Sequence, residues 1–139
     1  FYTVNTGQIS LEATATFQGS TVRPDVDIYP TVNLSYFAVD KAYQCKGYGK
    51  LIMAELFASV LALQEHCGFS FIYVESLNQS VEFYESTGFN FLLHNYHEDR
   101  SNGFERPTYD MFISPRKLID MGFYPHGGYK TRRLKYKPK

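Results

Sequence analysis

The chain has 139 residues, 44% of them hydrophobic, and a formal net charge of zero. That length fits one domain with a real core. No apolar run reaches the roughly 18–20 residues of a membrane span, and two cysteines, Cys45 and Cys67, are too few for a disulfide framework.

Read along the chain, residues 1–5 (FYTVN) and 8–17 (QISLEATATF) predict two strands, rich in β-branched and aromatic residues. The start carries no basic n-region or cleavage pattern, which predicts a cytoplasmic protein with reduced thiols. Residues 19–30 read as a loop with two prolines. Residues 31–40 (TVNLSYFAVD) read as a strand whose later part is apolar on both faces, as in a buried sheet. The stretch YQCKGYGK, 43–50, then precedes LIMAELFASVLAL, 51–63, which lacks Pro and Gly and predicts a mostly buried helix ending at Cys67-Gly68. A second buried strand, 69–76, leads into a short helix, 80–87, stopped by Gly88. Strand 89–94, a polar loop 95–107, strand 108–113 and a helical turn near 115–121 complete the order. The middle of the chain thus alternates strand and helix, an α/β pattern.

Residues 44–50 carry the first chemical signal. A loop that ends a buried strand and opens a helix leaves backbone N–H groups unpaired. Gly47 and Gly49 admit positive φ and close approach of a ligand. The helix dipole and the side chains of Lys46 and Lys50 add positive potential, so the loop predicts a phosphate or pyrophosphate site. It is neither a Walker loop nor a dinucleotide fingerprint, since the required Lys-Ser/Thr and third glycine are missing. The alternative is a plain strand–helix turn.

AVDKAYQCKGYGKLIMAELF resembles motif A of the GNAT superfamily of N-acetyltransferases, with Gln44, Gly47 and Gly49 in register. NQSVEFYESTGFNFL resembles motif B of the same family, and the two motifs together cover about residues 31–94. The resemblance implies a GNAT fold, a mixed central sheet flanked by helices on both faces. It implies a domain over 1–114, followed by a basic extension over 115–139. It also implies acetyl-CoA as co-substrate and transfer to a primary amine of a small molecule or peptide by direct attack on the thioester. On this reading the amides of Cys45, Lys46, Gly47, Tyr48, Gly49 and Lys50 hold the pyrophosphate beside Gln44. The edge of Phe37, Ala38 and Val39 pairs with the pantetheine arm, Asn78 binds that arm, and Tyr84 protonates the departing thiolate. In many relatives the Asn lies seven residues before the Tyr; here Leu77 holds that place.

A Tyr hydroxyl, with an ordinary pKa of about 10, can donate to a thiolate whose conjugate acid has a pKa of about 8.5. Glu75, at the end of its strand, is the candidate general base; the alternative is a solvated strand end. Asp40 is a weaker base candidate. His66, His94 and His97 have no zinc spacing, so no metal is predicted, and Cys45 has no base partner in the sequence.

The opening, with YPTVNLSYFAVD, is similar to the tRNA-acetylating toxin branch of the family, which implies an aminoacyl-tRNA acceptor. Charge bears on this choice. From Pro115 onward eight lysines and arginines face Asp120 alone, so the body is acidic and the tail basic. The tail, with Tyr129 and Tyr136 interleaved, suits a phosphate backbone, or is simply a solvated terminus. The acidic body suits a small cationic amine or a peptide. A non-catalytic acyl-CoA-binding module is the third reading, and the presence of Tyr84 speaks against it. Family members begin with a strand and helices ahead of the strand placed first here. Either the chain lacks them or Phe1 lies inside a longer natural chain; without them an open sheet edge invites a homodimer.

Overall fold

The computed structural model describes residues 1–10, 16–17, 20–21 and 28–124. Two antiparallel residue pairs join β2 (Thr16–Phe17) to β3 (Ser20–Thr21). The main sheet has five strands in the order β1-β4-β5-β7-β6. They are β1 (Tyr2–Ser10), β4 (Ile28–Phe37), β5 (Phe71–Leu77), β6 (Asn90–Phe91) and β7 (Thr108–Ile113). Only β4 and β5 run parallel; β1 against β4, β5 against β7 and β6 against β7 are antiparallel. The helices are α1 (Tyr48–Leu63), α2 (Val81–Ser86), α3 (Tyr96–Ser101) and α4 (Pro115–Asp120). No described helix is long and apolar enough to cross a membrane.

Strand alternation sorts the side chains onto two faces. Val32 and Leu34 of β4, Ile72 and Val74 of β5, and Met111 and Ile113 of β7 join one large cluster. All four helices feed that cluster, through Met53, Leu56, Phe57, Val60 and Leu61 of α1, Val81 and Tyr84 of α2, Tyr96 of α3 and Leu118 of α4. The other face carries Tyr29, Phe71 and Phe112, with Ile9 and Leu92 against them.

Several boundaries differ from the sequence reading. The two strands predicted over 1–5 and 8–17 are one strand to Ser10, and residues 11–15 lie outside those described. Thr6-Gly7 is a turn signal in sequence. In the sheet Gly7 instead makes room for the side-chain amide of Asn33, with which any Cβ there would collide. β4 begins at Ile28, inside the predicted loop. The predicted strand 89–94 shrinks to Asn90–Phe91. The polar loop 95–107 contains α3. Its side chains YHEDRS have no apolar period, but its ends obey local rules. The side chain of Asn95 accepts from the N–H groups of His97 and Glu98, Glu98 and Asp99 sit in the first turn, and Gly103 follows at φ 73°. In α4, Ser114 accepts from the Lys117 N–H and Pro115 opens the helix.

One feature of the sheet positions the site. β4 and β5 pair only through Thr31–Asn33 against Phe71–Tyr73. Beyond that point β4 follows β1 to Phe37 while β5 follows β7 to Leu77, so the sheet parts between its two parallel strands.

Candidate functional site

Where β4 leaves the sheet, the chain makes one 3₁₀ turn, Lys41–Tyr43, capped by the Asp40 carboxylate accepting from the Ala42 N–H at 2.8 Å. That bond commits Asp40 to its own loop. Gln44 turns back and donates from Nε2 to the Val39 carbonyl at 2.8 Å. Cys45 (φ 59°) and Gly47 (φ 85°) both adopt the left-handed conformation. Alternation of this kind turns successive N–H groups toward one concavity, an anion-binding nest. α1 starts immediately, with no side-chain cap on Gly47, and the first helical acceptor used is the Gly47 carbonyl, by Leu51. The amides of Tyr48, Gly49 and Lys50 are therefore orphan donors of the first turn.

The structure separates the two glycines. Gly47 has the positive φ and nothing within 4 Å of an added Cβ. Gly49 lies inside α1, and an added Cβ would sit 3.1 Å from the Phe83 ring. Gly47 serves conformation; Gly49 serves close approach of α1 to α2.

A cleft of about 550 Å³ opens where β4 and β5 part. Of the residues singled out in the sequence, Phe37, Val39, Gln44, Cys45, Gly47, Gly49, Lys50 and Tyr84 line it together, with Gln79, Ser80 and Phe83 beside them. The Ala38 N–H and C=O both pair with Phe1, on the β1 side. By strand alternation the backbone groups of Phe37 and the Val39 N–H face the other way, while the Val39 carbonyl is taken by Gln44.

Tyr84 is 7% exposed. Its ring meets Phe37, Phe83 and Phe89 at centroid distances of 6.4, 5.4 and 5.5 Å. Its hydroxyl has no hydrogen-bond partner among the described residues, and the residue lines the cleft. Burial raises its pKa above the ordinary tyrosine value, so the phenol holds its proton at neutral pH.

The remaining expected residues stand elsewhere. Ala38, Lys46 and Tyr48 are exposed and off the cleft wall. Lys46 donates to the Ala42 carbonyl at 2.9 Å and lies over the Tyr43 ring, which meets Tyr48 edge to face. Asn78 directs its amide to the Arg106 carbonyl at 3.0 Å, away from the cleft. Glu75 is exposed and accepts from the Thr108 hydroxyl at 3.0 Å. It stands opposite Asp110, which accepts from the Tyr73 hydroxyl at 2.5 Å. Burial, then the Asp110 carboxylate, raises the Tyr73 pKa. Neither Glu75 nor Asp110 meets a cation among the described residues.

The sequence reading missed Gln79, Ser80 and Phe83. Their signal was present, since 80, 83 and 84 share one helical face. No group of three or more His, Cys, Asp or Glu among the described residues could hold a metal ion.

A family model described as an acetyltransferase (GNAT) domain matches residues 9–91, more than half of the chain. No curated protein matches at a significant level. Among solved structures, the fold is similar to a bacterial toxin (TM-score 0.69, 18% identity, 91% of this chain and 65% of that one). It is also similar to AtaT complexed with acetyl-methionyl-tRNAfMet (TM-score 0.66, 21% identity, 86% and 64%). AtaTR bound with AcCoA is a third likeness (TM-score 0.58, 21% identity, 85% and 63%). The chain spans less than two thirds of the length of each of these structures.

Proposed function

The chain belongs to the GNAT acetyltransferase family, and on that premise we propose that it transfers an acetyl group from acetyl-CoA to a primary amine. One observation carries this reading. The left-handed loop at Cys45–Gly47 and Tyr84, whose hydroxyl has no hydrogen-bond partner among the described residues, line the same cleft. The loop amides and Lys50 suit the pyrophosphate, and the edge at Phe37 and the Val39 N–H suit the pantetheine arm as an added strand, the Val39 carbonyl being taken by Gln44. In the transfer, the amine nitrogen forms a bond to the thioester carbon and the C–S bond breaks. Tyr84 gives its proton to the departing thiolate and regains one from solvent, while the amine loses its extra proton to Glu75, to water or to both. Glu75 stands off the cleft wall, so it would reach the amine through water.

Two acceptors have support. An aminoacyl-tRNA is favoured by the similarity in fold to AtaT, whose structure holds acetyl-methionyl-tRNAfMet, and by the run of cations over 130–139, which lies outside the described residues. Its α-amine, with a pKa at or below the roughly 7.7–8.0 of a chain terminus, needs little help from a base. A small cationic amine is favoured by Glu75 and Asp110, two carboxylates facing each other without a cation among the described residues. Thiol release from acetyl-CoA, measured across an amine panel and with charged tRNA, separates the two. Binding of acetyl-CoA with no turnover of any acceptor would leave an acyl-CoA-binding module and overturn the enzymatic reading.

A further inference from the structure

We propose that Asn78, Arg106 and Asp99 form a tether that places the Tyr84 hydroxyl, and that Asn78 is a positioning residue rather than a ligand of the acetyl donor. The proposal rests on the reading of Tyr84 as proton donor and deepens it.

Tyr84 rides on a short element, one 3₁₀ turn (Asn78–Ser80) followed by the six residues of α2. A helix this short does not hold itself together, so its position is set by the packing of Val81 and Tyr84 in the core and by what grips its ends. At the C-terminal end the Tyr84 carbonyl accepts from the Thr87 hydroxyl at 2.8 Å and from the Thr87 and Phe89 N–H groups at 3.1 Å. At the N-terminal end neither Leu77 nor Ser80 supplies a side-chain cap. The grip comes from Asn78 instead. Its backbone N–H donates to the Pro107 carbonyl at 3.0 Å, and its side-chain amide donates to the Arg106 carbonyl at 3.0 Å.

Residues 105–107 are in turn fixed by one carboxylate. Asp99 Oδ2, on α3, accepts from Arg106 Nε at 3.1 Å and from the Tyr109 hydroxyl at 3.0 Å. The Tyr109 hydroxyl also accepts from the Arg106 N–H at 3.1 Å. Tyr109 is 1% exposed, so this triangle is anchored in the core. Three side chains, Asp99, Arg106 and Asn78, therefore connect α3 to the element that carries Tyr84. Six residues separate Asn78 from Tyr84, about 9 Å along a helix axis, so a small tilt at Asn78 moves the hydroxyl by a comparable amount. A misplacement of about 1 Å can cost about 10² in rate. Asn78 Nδ2 donates to this loop, to the Arg106 carbonyl and, at 3.5 Å, to the Glu105 carboxylate, while Gln79 and Ser80 line the cleft.

The test uses the full chain, with the acceptor that supports thiol release in the panel above and calorimetric titration of acetyl-CoA. Asn78→Ala should lower kcat about tenfold or more and leave the acetyl-CoA Kd within twofold. Asp99→Asn should act in the same direction. In a Tyr84→Phe background, Asn78→Ala should change kcat by less than twofold, because the hydroxyl it positions is gone. A tenfold rise in Kd with kcat preserved would make Asn78 a ligand and overturn the tether. An equal loss of kcat in both backgrounds would mean general loosening and overturn it too. Tyr84→Phe alone within twofold of wild type would remove the proton-donor reading, and the tether with it. If Asn78→Ala fails to fold in a thermal melt, Asp99→Asn, which keeps the side chain's shape, carries the same comparison.

Discussion

Replacing Gly49 by Val tests the geometry of the cleft most directly. An ideal Cβ on Gly49 lies 3.1 and 3.4 Å from two carbons of the Phe83 ring and 3.9 Å from a Val39 methyl. Carbon pairs prefer about 3.5–4.0 Å, so even Ala requires the ring to yield by a few tenths of an ångström. Valine adds two methyls that reach about 1.5 Å further, into the ring or into the cleft. Phe83 cannot retreat freely, because it packs on Phe37 at 5.4 Å and on Tyr84 at 5.4 Å. The expected result is acetyl-CoA binding weakened at least tenfold, about 1.4 kcal/mol, by calorimetric titration of a protein that still melts cooperatively. Gly47→Ala is the complementary change. It meets no atom, but it forces a Cβ into φ 85°, which costs about 1–2 kcal/mol. Its effect should register in melting temperature even without ligand. A folded Gly49→Val protein that binds acetyl-CoA within twofold of wild type would show that α1 and Phe83 do not shape the donor site.

Further outcomes follow from the same residues. Tyr84→Phe should lower kcat by about 10²–10⁴ with little change in acetyl-CoA affinity; the wild-type rate should fall only above the ordinary tyrosine pKa, and that limb should vanish in the variant. Tyr73, Tyr84 and Tyr109 all have raised pKa values, with burial the first cause in each. Their stabilising contribution is complete below pH about 10 and is lost as pH rises through the folded-state values, so denaturant midpoints should hold through neutrality and drop in strong alkali. Phe57→Ala should cost about 3–5 kcal/mol by chemical denaturation, since Phe57 is 2% exposed and packs on Phe89 and Phe123. Removing residues 129–139 should leave acetyl-CoA binding intact and flatten the salt dependence of tRNA binding; full-length protein with no salt-dependent tRNA binding would count against the aminoacyl-tRNA acceptor.

Much of this arrangement was legible before any coordinates. Largely apolar runs mark α1 and β5, whereas β4 runs over Ile28–Phe37 rather than 31–40, and its later part, expected to be buried on both faces, is exposed at Ser35 and Tyr36. The glycine pair marked the loop, since few other residues tolerate what that backbone does. What escaped was set by tertiary contact. Sequence alone made Gly49 a conformational glycine, yet its reason is Phe83, thirty-four positions away. Asn78 reads as a ligand because motif B places an Asn near the cofactor, and the hydrogen bond from its amide to Arg106 is not legible, since that residue lies on a segment that reads as a polar loop. α3 went unread because its helix is specified by caps and end charges, which hydrophobic periodicity does not register.

The three-pair ladder between β4 and β5 has a consequence for energetics as well as for access. The β1–β4 ribbon and the β5–β7–β6 block are joined within the sheet by this short ladder, and otherwise through packing on α1 and ring contacts such as Tyr29 on Phe71 and Phe37 on Phe83 and Tyr84. Such a joint is the natural seam for sub-global opening, so amides of Leu34–Phe37 and Val74–Leu77 should exchange with solvent by a cheaper route than whole-molecule unfolding. A donor that pairs with the free edge of β4 would close that seam. At a hundredfold excess over Kd it would add about 2.7 kcal/mol of stability by mass action. Hydrogen exchange with and without acetyl-CoA would then report protection concentrated along the parting strands, and on the proposed function the molecule's cohesion would depend on its own co-substrate.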